Sequence, residues 1–396
     1  MNDFYYRDDQ LFCEDISVRE LAKVVGTPFY IYSYTSLVEH LQEFERAFSA
    51  LPHLICFAVK ANSSLAILRA LAVHGAGAEV VSGGELQRAL NAGIPAEKIV
   101  FSGVGKRAEE IAAALHAGIL MLIVESFPEL ELVNKIAGKL GKKARVGFRI
   151  NLGIDPHTHR YITTGLEETK FGLGIEESLE AYSKAARMKN IQILGVHTHL
   201  GSQITHLDLF VAAVKKLKIV LRELANRGIH PRYLDLGGGL GITYKPTEKA
   251  PNTAEFAAAL LPLLSEIHEK MGIDVILEPG RALVGKAGAL VTQVLYIKTR
   301  KSTKKTFVIV DAGMNDLIRP SLYGAYHEIL PVQKAGENRA VVDVVGPVCE
   351  TADYFAQGRA LSSLHPGDLL AVMDVGAYGF TMASNYNSRL RPAEVM

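Results

Sequence analysis

Between residues 53 and 281 the chain repeats one rhythm: a short apolar run, a few turn residues, then a segment of helical period. The apolar runs fall at 54–60, 76–82, 98–104, 119–125, 144–151, 193–201, 233–239 and 275–278. Each is rich in Val, Ile, Leu or Phe and nearly continuous, as a strand covered on both faces must be. Seven helical patterns separate the eight runs, and an eighth (34–50) precedes the first. Eight alternations of strand and helix predict a TIM (β/α)8 barrel. The segment from Thr205 shows the local code. Phe210, Val214, Leu217, Leu221 and Leu224 recur at spacings of four and three, which makes one buried stripe. Thr205 is the predicted N-cap, Asp208 complements the helix dipole in the first turn, and Gly228 supplies a left-handed exit.

After Leu283 the pattern changes to β-branched and aromatic runs punctuated by Gly and Pro: LVTQVLYIKTR, TFVIVDAG, HEILPVQ, AVVDVVGPV and DLLAVMDVG. These predict an antiparallel β domain of sandwich or barrel type, which TPFYIY and DQLFCED near the start can join. The expected division is a barrel over 31–283 and a β domain built from 1–30 and 284–396. KTRKSTKK, the one basic cluster, reads as a solvated hairpin turn, because no aromatic residue interleaves it as a nucleic-acid platform would require.

Composition narrows the function class. With 43 Lys+Arg against 42 Asp+Glu, scattered along 396 residues, the chain has no field to attract nucleic acid or an anionic membrane. Cys13, Cys56 and Cys349 are too few and too scattered for a disulfide framework or a CxxC metal site. The opening MNDFYYRDDQLFCEDIS lacks a basic and apolar leader, and the longest apolar stretches, such as 256–264, cannot span a bilayer. The expectation is cytoplasmic small-molecule chemistry.

In such a barrel the chemistry sits at the C-terminal strand ends. Reading them in order gives Lys60, Ser82, Ser102, Glu125, Arg149, His197 with His199, Gly237 to Gly239, and Glu278 to Arg281. Lys60 closes FAVKAN. Burial without a close anion would favour its neutral amine, the form that condenses with a carbonyl, while the alternative is a lysine snorkelling from the rim. LDLGGGLG and EPGR, on adjacent strands, offer exposed backbone N–H groups and a permanent cation, the makings of a phosphate site. His197 and His199 share a side of their strand. An HxH pair can ligate zinc, but no third His or Cys stands at another strand end, so no metal is expected and stacking on a flat ring is the better use. An amine, a phosphate clamp, a ring partner and the Glu278 carboxylate together fit pyridoxal 5′-phosphate, whose ring nitrogen a carboxylate keeps protonated.

At these residues the chain resembles the alanine-racemase-fold (fold type III) decarboxylases, and within them the diaminopimelate decarboxylase family. The likeness runs nearly end to end through FAVKAN, VSGGEL, FSGVGK, INLGIDPHTHRYITTGLEETKFG, GVHTHLGSQI, LDLGGGLG, EPGR, DAGMNDLIRPSLYGAYH, GPVCETADYFA and GAYGFTMASNYNSRLRPAEV. It implies decarboxylation of meso-2,6-diaminopimelate to L-lysine and CO2, the last step of lysine biosynthesis, through a pyridoxal phosphate external aldimine. It further implies that Lys60 carries the cofactor, His199 stacks on its ring, and Ser202, Gly239, Glu278, Gly280, Arg281 and Tyr378 hold it. Arg281, Arg319, Tyr323 and Tyr378 would bind substrate, Glu350 its distal ammonium, and Cys349 would reprotonate the α-carbon. The resemblance implies a homodimer whose CET segments complete each other's sites. Without the motifs, Cys349 would read as a buried core thiol, and Arg319 and Glu350 as surface ion-pair residues. The rival readings are a decarboxylase of ornithine, lysine or arginine on this fold, and a non-catalytic relative. Two departures stand out: Glu79 replaces the usual Asp, and the chain stops at RPAEVM, sooner than family members do, as a trimmed or short C-terminus would.

Overall fold

A computed structural model describes residues 3–155, 168–334, 336 and 338–396. Most of the PHTHRYITTGLEETKFG stretch named above lies outside these residues. The chain divides into two compact units, Met1–Glu39 with Thr243–Lys249 and Leu283–Met396, and His40–Ile242 with Ala250–Ala282. Thr243–Lys249, inside the range read as barrel, groups with the β unit.

The second unit is the predicted barrel. Its strands are β1 (His53–Ala58), β2 (Gly77–Val80), β3 (Ile99–Phe101), β4 (Met121–Val124), β5 (Ala144–Arg149), β6 (Ile191–His197), β7 (Tyr233–Asp235) and β8 (Asp274–Leu277), all parallel and closed from β8 to β1. Each is buried through most of its length, which is why the runs lack an alternating polar face. The lower interior is filled by Cys56, Val100, Met121, Ile123 and Ile276. Met121 takes space that a side chain on β5 or β6 would need: a Cβ at Gly147 or Gly195 would lie 2.9 or 2.7 Å from its sulfur. The barrel interior is therefore packed here, and the mouth is where such a barrel holds its ligand.

The helix read from Thr205 runs Leu207–Asn226 and buries Phe210, Val214, Leu217, Leu221 and Leu224, with Asp208 in its first turn and Gly228 at φ 72°. Its N-cap is His206, not Thr205. The chain at Ile204 is still extended, bridged to Leu240 with its carbonyl accepting from Gly241 N–H, so the first helical turn is delayed.

In the first unit Gly288–Thr299 is the organising strand, antiparallel to Phe29–Tyr32, Thr306–Val310 and Leu369–Val372. The sheet is mixed rather than wholly antiparallel. Thr306–Val310 runs parallel to Arg339–Val345, and Ala393–Val395 runs parallel to Phe29–Tyr32. Both parallel pairs join segments far apart in sequence, and a parallel pair needs such a long crossover. Phe4, Leu11, Val18 and Phe29 share a core with Val291 and Ala371, so the opening residues join this unit. KTRKSTKK makes the expected exposed hairpin turn, closed by Arg300 N–H on Lys305 O. Among the described residues no helix is long and apolar enough to cross a membrane.

Candidate active site

Lys60 lies in the single turn Val59–Ala61 that follows β1, so the strand delivers it to the barrel mouth. Its ammonium donates to Glu79 Oε2, on the neighbouring strand β2. The condition set for a neutral lysine, burial without a close anion, is not met: the pair is ionic. Burial pushes the Glu79 carboxyl up, and the Lys60 charge opposes it.

At β8 the Glu278 carboxylate is buried, with His197 Nε2 3.5 Å from Oε2. Burial works against its ionisation, but the charge and hydrogen bond of His197, helped by Lys60, overcome it and hold it at about 2. Glu278 Oε1 is buried, and the carboxylate is hydrogen-bonded to the Asp235 carboxyl as well as to His197. An ionised carboxylate in a dry pocket is what a protonated ring nitrogen requires. Asp235, at the end of β7, completes a buried trio whose ligand-type atoms lie within 4.8 Å of one another. Burial, and then the Glu278 charge, raise Asp235 well above the carboxylate range, so it is a neutral acid beside an ionised one.

His199 stands just past β6. Its Nδ1 accepts from Gly238 N–H at 3.2 Å, which places the proton on Nε2. Burial, then the cations Arg149 and Lys60, push its pKa well below the usual histidine value, so the ring is neutral. The glycine run closes against the neighbouring strand end. Gly237 O accepts from Glu278 N–H at 2.8 Å, and a Cβ at Gly238 would stand 2.2 Å from Glu278 O. Gly237 and Gly239 have φ of 67° and 110°, which favour glycine alone, and a Cβ at Gly239 would meet Gly201 O at 2.6 Å. Gly280 is equally close-set, against Ala61 and Ala58. The Arg281 guanidinium reaches Ser202 Oγ at 3.0 Å, so two of the residues expected to hold phosphate already meet.

Of the other strand-end residues, Ser82 serves as a helix N-cap, accepting from Glu85 N–H at 3.2 Å. Glu125 accepts from the backbone of Gly103 and Gly172 and pairs with Arg149 at 3.6 Å. These support the mouth rather than fill it.

In the β unit Arg319 is buried, at 6% exposure, and not a surface ion-pair residue. Tyr244 Oη and His327 Nε2 accept from its Nη1 at 2.9 and 3.2 Å, while His327 Nδ1–H bonds Met373 O at 2.8 Å. That arrangement orients a buried guanidinium, whose forked donors suit a carboxylate. Tyr323, four residues on in the short helix Arg319–Tyr323, is half-buried. Tyr378 is held at φ 56° between Gly376 and Gly379. Cys349 is exposed, unlike Cys13 and Cys56, and so is Glu350. Their loop is pinned by Asp353, whose carboxylate accepts from Val348 N–H and Met314 N–H at 2.6 Å each. Asp235, Tyr244, His327 and Asp353 join these residues without having been expected from the sequence. Only Asp235, an acid inside a buried strand, left a local signal.

The pyridoxal-binding domain of the pyridoxal-dependent decarboxylases matches residues 34–285. A diaminopimelate decarboxylase of Aquifex aeolicus is 48% identical over 391 residues, covering 99% of this chain and 91% of that protein. Among solved structures, diaminopimelate decarboxylase from Helicobacter pylori complexed with L-lysine aligns at TM-score 0.91 and 45% identity, over 96% of this chain and 93% of that one. The enzyme from M. jannaschii in co-complex with L-lysine aligns at 0.95 and 39%, over 100% and 93%. Fold, mouth chemistry and full-length likeness agree, and the chain belongs to the pyridoxal-dependent decarboxylases, within them to the diaminopimelate decarboxylases.

Proposed function

We infer that the chain decarboxylates meso-2,6-diaminopimelate to L-lysine and CO2, the closing step of lysine biosynthesis, with pyridoxal phosphate as cofactor. The observation that carries the chemistry is the ionised, buried Glu278 in a pocket shared with Lys60 and a neutral His199. When bound, the cofactor supplies an electron sink for the carbanion left by CO2. Glu278 would keep the ring nitrogen protonated, His199 would hold the ring, and Lys60 would carry the cofactor. Ser202, Gly239, Gly280, Arg281 and Tyr378 hold its phosphate, in keeping with the Arg281–Ser202 bond. Glu79 would hold the Lys60 ammonium, as it does in this structure.

On the substrate, Arg319 with Tyr323 takes the carboxylate that is kept, Arg281 and Tyr378 adding contacts, and Glu350 takes the distal ammonium. A plain diamino acid such as ornithine has no second carboxylate to offer Arg319, and the loss of that charge-assisted contact sets the selectivity. The Cys349 thiol donates the proton to the α-carbon. Cys349 and Glu350 are both exposed in the single chain. That supports a homodimer in which each subunit's CET segment completes its partner's site. Free thiols in all three cysteines suit a cytoplasmic enzyme. The test is the purified protein with pyridoxal phosphate and meso-diaminopimelate, scored for L-lysine and CO2. No lysine formed would sink the assignment.

A further inference from the structure

Glu350 is fixed at its backbone and steered at its carboxylate, by different groups. The Asp353 carboxylate pins the loop below it, and Glu350 N–H bonds Val348 O at 2.8 Å. The side chain projects from this loop into solvent, where a lone carboxylate would sample many rotamers. Here Tyr386 Oη, 36 residues on, donates to Glu350 Oε1 at 2.5 Å and favours one orientation.

The turn that presents Tyr386 is built at a cost. Asn387 and Ser388 are consecutive left-handed residues, at φ 53° and 57°, and neither is glycine. Such strain persists where surrounding bonds over-determine it and gathers at functional positions. Here Asn385 Nδ2 donates to Arg389 O at 2.8 Å, Arg389 N–H bonds Tyr386 O at 3.2 Å, and Arg389 Nη2 ties the turn to Asp311 O at 2.5 Å. The ring itself is 45% exposed, so packing does not account for its placement. The hydrogen bond to Glu350, and then the charges of Glu350 and Cys349, push the phenol up, so it stays a donor at neutral pH.

We propose that Tyr386 is a specificity-determining positioning residue, whose hydroxyl fixes one oxygen of Glu350 so that the other reads the configuration of the substrate's non-reacting carbon. The proposal rests on the role given above to Glu350. A stereocentre is distinguished by three fixed contacts; the chain of methylenes and the Arg319 carboxylate site supply two, and an oriented ammonium acceptor supplies the third. The product is L-lysine, whose α-carbon is the non-reacting centre, so the reacting centre of the meso compound is D. DD-diaminopimelate therefore offers the same reacting centre and differs only where Tyr386 acts.

The experiment uses the holoenzyme, its Tyr386→Phe and Glu350→Gln variants and the double variant. It measures kcat and KM for the meso and DD isomers, calorimetric binding of L- and D-lysine, and Tm. For Tyr386→Phe the meso-to-DD ratio of kcat/KM and the L-to-D ratio of lysine affinity should each fall of order tenfold, the worth of one charge-assisted hydrogen bond. The kinetic loss should lie in KM, Tm should not move, and adding Tyr386→Phe to Glu350→Gln should cost nothing further. If Glu350→Gln collapses both ratios and Tyr386→Phe leaves them intact, Tyr386 has no such role. If Glu350→Gln itself leaves them intact, it is the role of Glu350 that fails, and the proposal falls with it.

Discussion

Lys60 and Glu79, on the neighbouring strand ends β1 and β2, form an ion pair at the mouth of the barrel, the lysine ammonium donating to Glu79 Oε2. The Glu79 side chain is 1% exposed, so the pair is held in a low-dielectric setting. An adjacent anion stabilises the protonated form of any nitrogen Lys60 contributes. In the holoenzyme of Glu79→Gln, which keeps shape and loses charge, the pH at which the bound cofactor's visible absorbance changes should move down, by about a unit or more. A spectrophotometric pH titration against wild type reads this directly. An unchanged midpoint would mean that Glu79 does not act on Lys60.

His197 is expected to act through Glu278. Its charge and hydrogen bond offset the burial that would otherwise keep the carboxyl protonated, and hold it at about 2. Removing them raises that pKa, so the ionised form is lost at higher pH. The acid limb of the kcat–pH profile in His197→Gln should therefore shift upward, while Glu278→Gln should lower kcat at every pH, by roughly 10²–10³-fold if the carboxylate supplies a typical preorganised electrostatic contribution.

Arg319 should dominate choice of substrate. If Arg319, oriented by Tyr244 and His327, binds the kept carboxylate as proposed, removing it should cost about 2–4 kcal/mol, which is roughly 10²–10³-fold in kcat/KM for meso-diaminopimelate. Arg319→Lys should recover little of this, since a point charge cannot reproduce the forked geometry. Steady-state kinetics of the two variants on meso-diaminopimelate check both statements.

The barrel was legible because strands covered on both faces must read as continuous apolar runs, and the mouth because Lys60, Glu278 and Arg149 are costly in such runs. Asp235 escaped notice inside LDLGGGLG, where the glycines explain the loop by themselves. Ser82 misled in the opposite direction: a serine at a strand end equally caps the helix that follows. Thr205 satisfied the local rule for an N-cap, yet the bridge from Ile204 to Leu240 overrode it. Tyr244 meets Arg319, 75 residues on, only through folding, whereas His327 and Asp353 stand inside DAGMNDLIRPSLYGAYH and GPVCETADYFA, where Arg319, Cys349 and Glu350 carry the pattern.

A dimer with shared sites makes a sharp expectation for mixed subunits. If Lys60 carries the cofactor and Cys349 gives the proton, as proposed, the Lys60→Ala and Cys349→Ala homodimers should each be inactive. Reassorted heterodimers carry one site with both groups intact, and about a quarter of the wild-type rate should return where half the dimers are mixed and one of their two sites works. Mixing under mild denaturant, followed by the lysine assay, measures this. No recovery would place Lys60 and Cys349 of one site on the same subunit.

Stability should respond to pH through Glu85, which lies in the first turn of the helix Gly83–Asn91, its Oε2 accepting from Val81 N–H at 2.8 Å. Burial raises its carboxyl to about 7; the Val81 hydrogen bond opposes this and the nearby Glu79 charge adds to it. The folded pKa thus lies above that of an unfolded glutamate, about 4.3, and the folded state binds the proton more tightly. The resulting stabilisation is present in full below the unfolded value and is lost as pH rises through 7. Glu85→Gln keeps an oxygen for Val81 N–H and removes the titration. Discounted for partial exposure, the drop in unfolding free energy between pH 5 and pH 8 should be smaller in the variant by roughly 1–2 kcal/mol. Asp316 and Asp374, both raised to about 6 by burial, titrate in the same direction in both proteins, so the comparison with wild type isolates Glu85. Denaturant unfolding of both proteins at the two pH values decides it, and equal pH dependence would show that Glu85 titrates as an ordinary surface carboxylate.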